Sequence, residues 1–198
     1  MEFAMEQKET LQPDLVREFV IAGHGNLERV KQMLAENPEL LNAAYPWKED
    51  DRETAIQAAA QVGSVSVAEF LLARGAPLDI CTAAMLGKKD QVELLLAQDP
   101  DKIHAKGAHG IPLLPHAGFG RNLELVQFLV ARGATAGLSP ALHNAMSRGD
   151  IRIVAWLLDN TKPDLGWKNF QGKTALKVAE ELRVGEIARL LREHGAVE

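Results

Sequence analysis

Six stretches of the chain repeat one phrase, and that repetition constrains the fold more than any other feature. They are Asn26-Leu27-Glu28-Arg29-Val30, Ser64-Val65-Ser66-Val67-Ala68, Asp90-Gln91-Val92-Glu93-Leu94, Asn122-Leu123-Glu124-Leu125-Val126, Asp150-Ile151-Arg152-Ile153-Val154 and Gly185-Glu186-Ile187-Ala188-Arg189. Leucine pairs follow closely, as at Leu71-Leu72, Leu95-Leu96, Leu157-Leu158 and Leu190-Leu191, and three units close on Gly-Ala, at residues 75, 133 and 195. Recurrence at this period is the signature of a stacked-repeat solenoid, in which no unit buries its own apolar face alone. Such a fold binds along a surface and seldom catalyses.

Apolar residues make up 46% of the 198-residue chain but aromatics only 5%. Ala and Leu therefore supply the core, which suits helices packed at close range. The formal charge of −5 argues against a nucleic-acid partner, because phosphate binding needs a local excess of Lys and Arg. A single cysteine, Cys81, excludes an internal disulfide framework and fits a reducing compartment. Met1-Glu2-Phe3-Ala4-Met5-Glu6-Gln7-Lys8 has no apolar signal core, and no stretch approaches the length of a membrane span. A soluble, cytoplasmic protein is expected.

Each unit reads as helix, tight turn, helix, loop. In the second, Thr54 is placed to cap a short Ala-rich helix over residues 55–61, Gly63 breaks it, and residues 65–72 form a second helix ended by Gly75. Thr54-Ala55-Ile56-Gln57-Ala58-Ala59, Pro140-Ala141-Leu142-His143-Asn144-Ala145 and Thr174-Ala175-Leu176-Lys177-Val178-Ala179 resemble the ankyrin pattern T-P-L-H-x-A. The resemblance extends over residues 14 to 196 and is closest in units two, five and six. It implies an all-α, ankyrin-type solenoid of six helix-turn-helix units with short hairpin-like loops. A single domain over residues 1–198 is expected, with units near 14–42, 52–76, 79–102, 111–134, 139–163 and 173–196.

The spacing is uneven in a regular way. The turn positions Gly25, Gly63, Gly87, Arg121, Gly149 and Arg183 give a double period, since Gly25 to Gly87 and Gly87 to Gly149 are each 62 residues. Odd units leave through Asn37-Pro38, Asp99-Pro100 or Lys162-Pro163 into long connections, expected at residues 43–52, 104–110 and 165–172. Even units turn back quickly at Gly-Ala. The charged residues of the last unit, including Lys177, Glu181, Arg183, Glu186, Arg189 and Arg192, form the polar outer face that a terminal repeat requires.

Motifs that suggest chemistry have plainer explanations. Gly166 to Thr174 resembles a phosphate-binding loop, but five residues separate its glycines where the motif has four, and Thr174 already serves as a helix cap. His104, His109 and His116 stand five and seven residues apart, unlike the H-x3-H or C-x2-C spacing of metal sites, and have no cysteine or acidic cluster beside them, so no metal or cofactor is expected. His143 fills the histidine position of the ankyrin pattern, which implies hydrogen bonding between adjacent loops. His24 and His194 lie at helix C-termini, where an imidazole is favoured for structural reasons. Cys81 reads as a small buried residue with no adjacent histidine to activate it.

Two features point to a surface. Trp47 and Trp167 fall in long loops, where an aromatic either packs back on the helices or anchors a partner. Unit four departs furthest from the pattern: Pro112-Leu113-Leu114-Pro115-His116-Ala117-Gly118-Phe119-Gly120 predicts a short or distorted inner helix with a shallow gap beside His109, His116 and Phe119. The chain is therefore expected to be a non-catalytic, monomeric scaffold binding another protein, neither nucleic acid nor membrane, through its concave loop and inner-helix face. Trp47, His109, His116, Phe119, Asn144, Arg148 and Trp167 are the contact residues expected. One alternative is a small-molecule receptor or enzyme built where His109, His116 and His143 converge. The other is a self-associating structural protein.

Overall fold

A computed structural model describes residues 11–197. The charged stretch at residues 1–8 lies outside the described residues, apart from which the double period becomes architecture directly. Twelve α-helices among the described residues form six antiparallel pairs: α1 (Pro13–Gly23) with α2 (Leu27–Glu36), α3 (Ala55–Val62) with α4 (Val65–Ala73), α5 (Ile80–Met85) with α6 (Lys89–Gln98), α7 (Leu113–Phe119) with α8 (Leu123–Ala131), α9 (Leu138–Ser147) with α10 (Ile151–Asn160), and α11 (Ala175–Glu181) with α12 (Gly185–Glu193). The inner helices α1, α3, α5, α7, α9 and α11 pack in sequence against one another.

Within each pair the turn is made by one residue at positive φ. Gly25, Gly63, Gly87 and Gly149 occupy that conformation, and so do Arg121 (φ 50°) and Arg183 (φ 57°). Side chains at Asn26, Asn122 and Asp150 then accept the first free N–H groups of the outer helix. The inner helices begin similarly at Thr54, Asp79 and Thr174, and Thr54 with Gln57 forms a reciprocal capping box.

The recurring Gly-Ala also has a single physical cause. Gly75, Gly133 and Gly195 take positive φ at the helix ends, and the following Ala N–H donates back to the carbonyls of Leu71, Leu129 and Leu191 at 3.1, 3.0 and 2.9 Å. This is a Schellman closure, in which Ala76, Ala134 and Ala196 tuck into the core as its apolar contact. Odd units one and three instead continue into short 3-10 turns, Pro38–Asn42 and Pro100–His104, each started by proline at its first position.

The three long connections differ from one another. The first is a β-hairpin, β1 (Ala44–Lys48) antiparallel to β2 (Asp51–Thr54), with Tyr45 opposite Glu53 and an irregular register between Pro46 and Lys48 that holds Trp47. The second is a tight turn at Ala108–Gly110, closed by the Gly107 N–H donating to the Ile111 carbonyl at 2.8 Å. The third, residues 161–174, has no regular element.

The core follows the stack in two contiguous clusters, one in units one and two with Met85, and one through units three to six. Unit four is where expectation and structure part. Its inner helix is short, as expected, at seven residues like that of unit six, but Pro112 stands at its N-cap position, so Pro115 falls at the third helical position. A backbone N–H there has no intrahelical acceptor, so proline removes nothing. Gly118 and Gly120 mark close approach: a Cβ at Gly118 would lie 2.5 Å from the Ala141 carbonyl oxygen, and one at Gly120 2.6 Å from that of Ala84. The expected gap is thus filled by neighbouring backbone.

Candidate functional site

The residues expected to form one surface separate into four groups. His116 is 1% exposed and lies in the core, which corrects its expected place on the open side. Counted from the helix cap it occupies the fourth position, where units two and three have the fully buried Ala58 and Ala83. Its Nδ1 reaches the Ala60 carbonyl at 3.1 Å, and its Nε2 lies where a Cβ on residue 107 would be, 2.6 Å away, so Gly107 admits the ring. Burial holds the imidazole below its ordinary titration range and Nε2 has no hydrogen-bond partner, so the neutral ring fits this position.

Phe119, Asn144 and Arg148 join units to each other. Asn144 Nδ2 donates to the Pro115 carbonyl at 2.9 Å. Arg148 donates to the Gly63 carbonyl from unit five to unit two, with its guanidinium 5.5 Å over the Phe119 ring. Gly63 makes room for both, since a Cβ there would meet Phe119 at 2.7 Å and Arg148 at 2.8 Å. All three side chains remain partly accessible.

Trp167 packs edge-on against His143, with ring centroids 5.0 Å apart. His143 is 8% exposed, and desolvation pushes its pKa down to about 4. The loop aromatic thus covers the histidine that the ankyrin pattern places at this position.

Trp47 and His109 come together around two carboxylates that sequence reasoning missed. Glu53 is 0% exposed, and its Oε2 accepts from Trp47 Nε1–H at 2.7 Å and lies 3.4 Å from His109 Nε2. Its Oε1 lies 3.6 Å from His24 Nε2, which is itself 3.0 Å from Gln61 Oε1. Asp51 accepts from the His109 backbone N–H at 3.1 Å and from its Nδ1–H at 2.7 Å. Both nitrogens of His109 therefore face carboxylates, and that hydrogen bond holds the Asp51 carboxyl below its usual range. His109 itself takes φ 56°, a conformation that costs a non-glycine residue energy. The strand register was the available signal, since period-two alternation puts Asp51 and Glu53 on one side of β2.

The three histidines of the catalytic alternative do not converge: His109 faces Asp51 and Glu53, His116 faces Ala60, and His143 faces Trp167. Cys81 is buried, and its thiol is pushed up to about 12, first by desolvation and then by Asp79, which leaves it unreactive as a nucleophile. Among the described residues no group of three or more His, Cys, Asp or Glu side chains is arranged to hold a metal ion. No described helix is long and apolar enough to cross a membrane.

Comparison with known proteins gives a consistent picture. Residues 113–197 match a family model described as ankyrin repeats (3 copies), and residues 51–83 match one described as ankyrin repeat. Trp47 and His109 fall outside both matched stretches. The chain is also 35% identical over 114 residues to the B-cell lymphoma 3 protein homolog of Mus musculus, an alignment covering 54% of this chain and 25% of that relative. The chain thus aligns with only about a quarter of the relative's length.

Proposed function

We propose that this chain, which belongs to the ankyrin-repeat family, is a non-catalytic scaffold that holds one protein partner along its loop edge. The family is an interaction module, and the finer assignment rests on one observation. His109 is held in a strained backbone conformation, at the surface beside Trp47, by a carboxylate 58 residues away. Strain of this kind persists where the surroundings over-determine it, and it concentrates at binding sites. Trp47, His109 and Trp167 are the proposed contact residues, with Asn144, Arg148 and Phe119 contributing their accessible edges. His116 acts through the core instead.

The partner is a protein rather than nucleic acid or a membrane, in keeping with the net charge of −5. The chain acts as a monomer in a reducing, cytoplasmic compartment, which its single buried Cys81 suits. Affinity capture with the full chain, followed by titration of the captured protein, tests the assignment. Trp47→Ala and Trp167→Ala should each weaken binding by about ten-fold or more, the scale of an aromatic anchor. Equal affinity of both variants and wild type would remove the loop edge as the contact surface. Failure to retain any protein partner specifically, with concentration-dependent growth in light scattering, would replace the scaffold with self-association.

A further inference from the structure

The third long loop carries an almost fully exposed aromatic and part of the lining of a lysine-rich pocket. Asn169 closes its tip: the Asn169 N–H donates to the Lys173 carbonyl at 3.0 Å, the Gly172 N–H donates to the Asn169 carbonyl at 2.8 Å, and Asn169 Oδ1 accepts from the N–H groups of Gln171 and Lys173 at 2.9 and 3.1 Å. This turn presents Phe170, whose exposure of 96% leaves the ring in water. The turn fixes the backbone that carries the ring, and a ring exposed in the free chain offers nearly its whole apolar surface for burial on capture, which is the property of a binding anchor.

Beside it a pocket of about 370 Å³ opens between the loop and α11, with Lys168, Lys173 and Lys177 around an apolar floor at Leu176. Its one carboxylate, Glu180, is engaged by Arg192, and Lys173 pairs with Glu181 at 2.5 Å. Lys168 and Lys177 make no ion pair among the described residues. In a chain of net charge −5, this pocket thus carries two lysines without a carboxylate partner among the described residues.

From this juxtaposition we infer that residues 168–177 dock an acidic segment of the partner protein, its carboxylates on Lys168 and Lys177 and an apolar side chain against Phe170. The inference rests on the scaffold role and adds the chemistry of the partner. A bare anion would leave Phe170 and the Leu176 floor unused, and a polynucleotide would meet the acidic remainder of the surface.

The test is a nuclear magnetic resonance titration of the isotope-labelled full chain with a short peptide of alternating glutamate and leucine, beside its glutamine–leucine counterpart. The acidic peptide alone should shift the amides of Lys168, Phe170, Lys173 and Lys177. Lys168→Glu and Lys177→Glu should each weaken it about three-fold, and Phe170→Ala by about ten-fold, whereas Lys31→Glu on the distant α2 should change nothing. Added salt should weaken it further. Equal shifts with the neutral peptide, the same shifts with inorganic phosphate alone, or no shift in this segment would overturn the inference. Shifts confined to the hairpin around Trp47 would also overturn it while leaving the scaffold role intact, since that role is decided separately by partner capture.

Discussion

Asp51 holds His109 twice, accepting from its backbone N–H at 3.1 Å and from its ring Nδ1–H at 2.7 Å across 58 residues of sequence. One carboxylate on the first hairpin therefore fixes both the backbone and the side chain of the second long connection. Two long connections separated in sequence by the helix pairs α3–α4 and α5–α6 are thereby tied at the loop edge. The tie adds to the side-chain contacts that already reach across the stack from His116 to Ala60 and from Arg148 to Gly63. The ring then bridges Asp51 to the buried Glu53, which also accepts from Trp47.

This tie predicts a reciprocal titration. Because the hydrogen bond from His109 depresses the Asp51 carboxyl, its stabilising contribution is present above the unfolded carboxylate value near 3.9 and is lost as pH falls through the lower folded value. His109→Ala should move the Asp51 midpoint upward, read from its carboxyl carbon resonance. Asp51→Ala should speed amide exchange at residue 109 several-fold, since the backbone N–H then loses its acceptor. An unchanged Asp51 midpoint in the His109 variant would break the link.

Two backbone positions, one in a turn and one inside α7, predict substitutions of opposite sign. Arg183 is exposed and occupies the positive-φ position that four other units give to glycine, so Arg183→Gly should stabilise the chain by about 0.5–1 kcal/mol. Gly118→Ala should cost about 1–3 kcal/mol, because its new methyl would meet the backbone of Ala141 and not a yielding side chain. Chemical denaturation of both variants decides the matter. A Gly118 variant as stable as wild type would show that α7 and α9 have room to separate.

Burial at the unit interfaces sets the stability scale. Leu157 is fully buried in the cluster running through units three to six, so Leu157→Ala should cost about 2–5 kcal/mol. Leu94→Ala, at a residue 52% exposed, should stay within about 0.5 kcal/mol. Similar denaturation midpoints for the two would remove Leu157 from the core, since so small an effect is the scale of a surface substitution.

The helical frame was legible because its causes are local. Gly25, Gly63, Gly87 and Gly149 at the turns, Thr54 and Thr174 at the caps, and the Gly-Ala closures each meet a backbone requirement that can be read from a few neighbouring residues. Unit four misled because its glycines answer to backbone from other units, at Ala141 and Ala84, which no local pattern records. His116 could have been placed by register, since it stands in line with Ala58 and Ala83. The pairing of Asp51 with His109 could not, because it depends on how far the stack brings two loops together. Phe170 was similarly hidden: sequence reveals an aromatic in a loop, and only the fold shows that nothing covers it.

The covered histidine of unit five gives the last prediction. Desolvation beneath Trp167 pushes His143 down to about 4, whereas an unfolded histidine titrates near 6.5. Between these values the unfolded chain takes up a proton that the folded chain refuses, so stability should fall as pH drops from about 6.5 to 4. Part of the ring edge remains near solvent, and the loss should therefore be on the order of 1–3 kcal/mol rather than the full linkage value. His143→Gln isolates the effect, because Gln57 already occupies the corresponding pattern position in unit two. Chemical denaturation at pH 7 and pH 4.5 should show a larger difference for wild type than for the variant. Trp167→Ala should shrink that difference too, by readmitting water to the ring. Equal pH dependence in all three proteins would mean that Trp167 does not seal His143 and that its loop is open in solution.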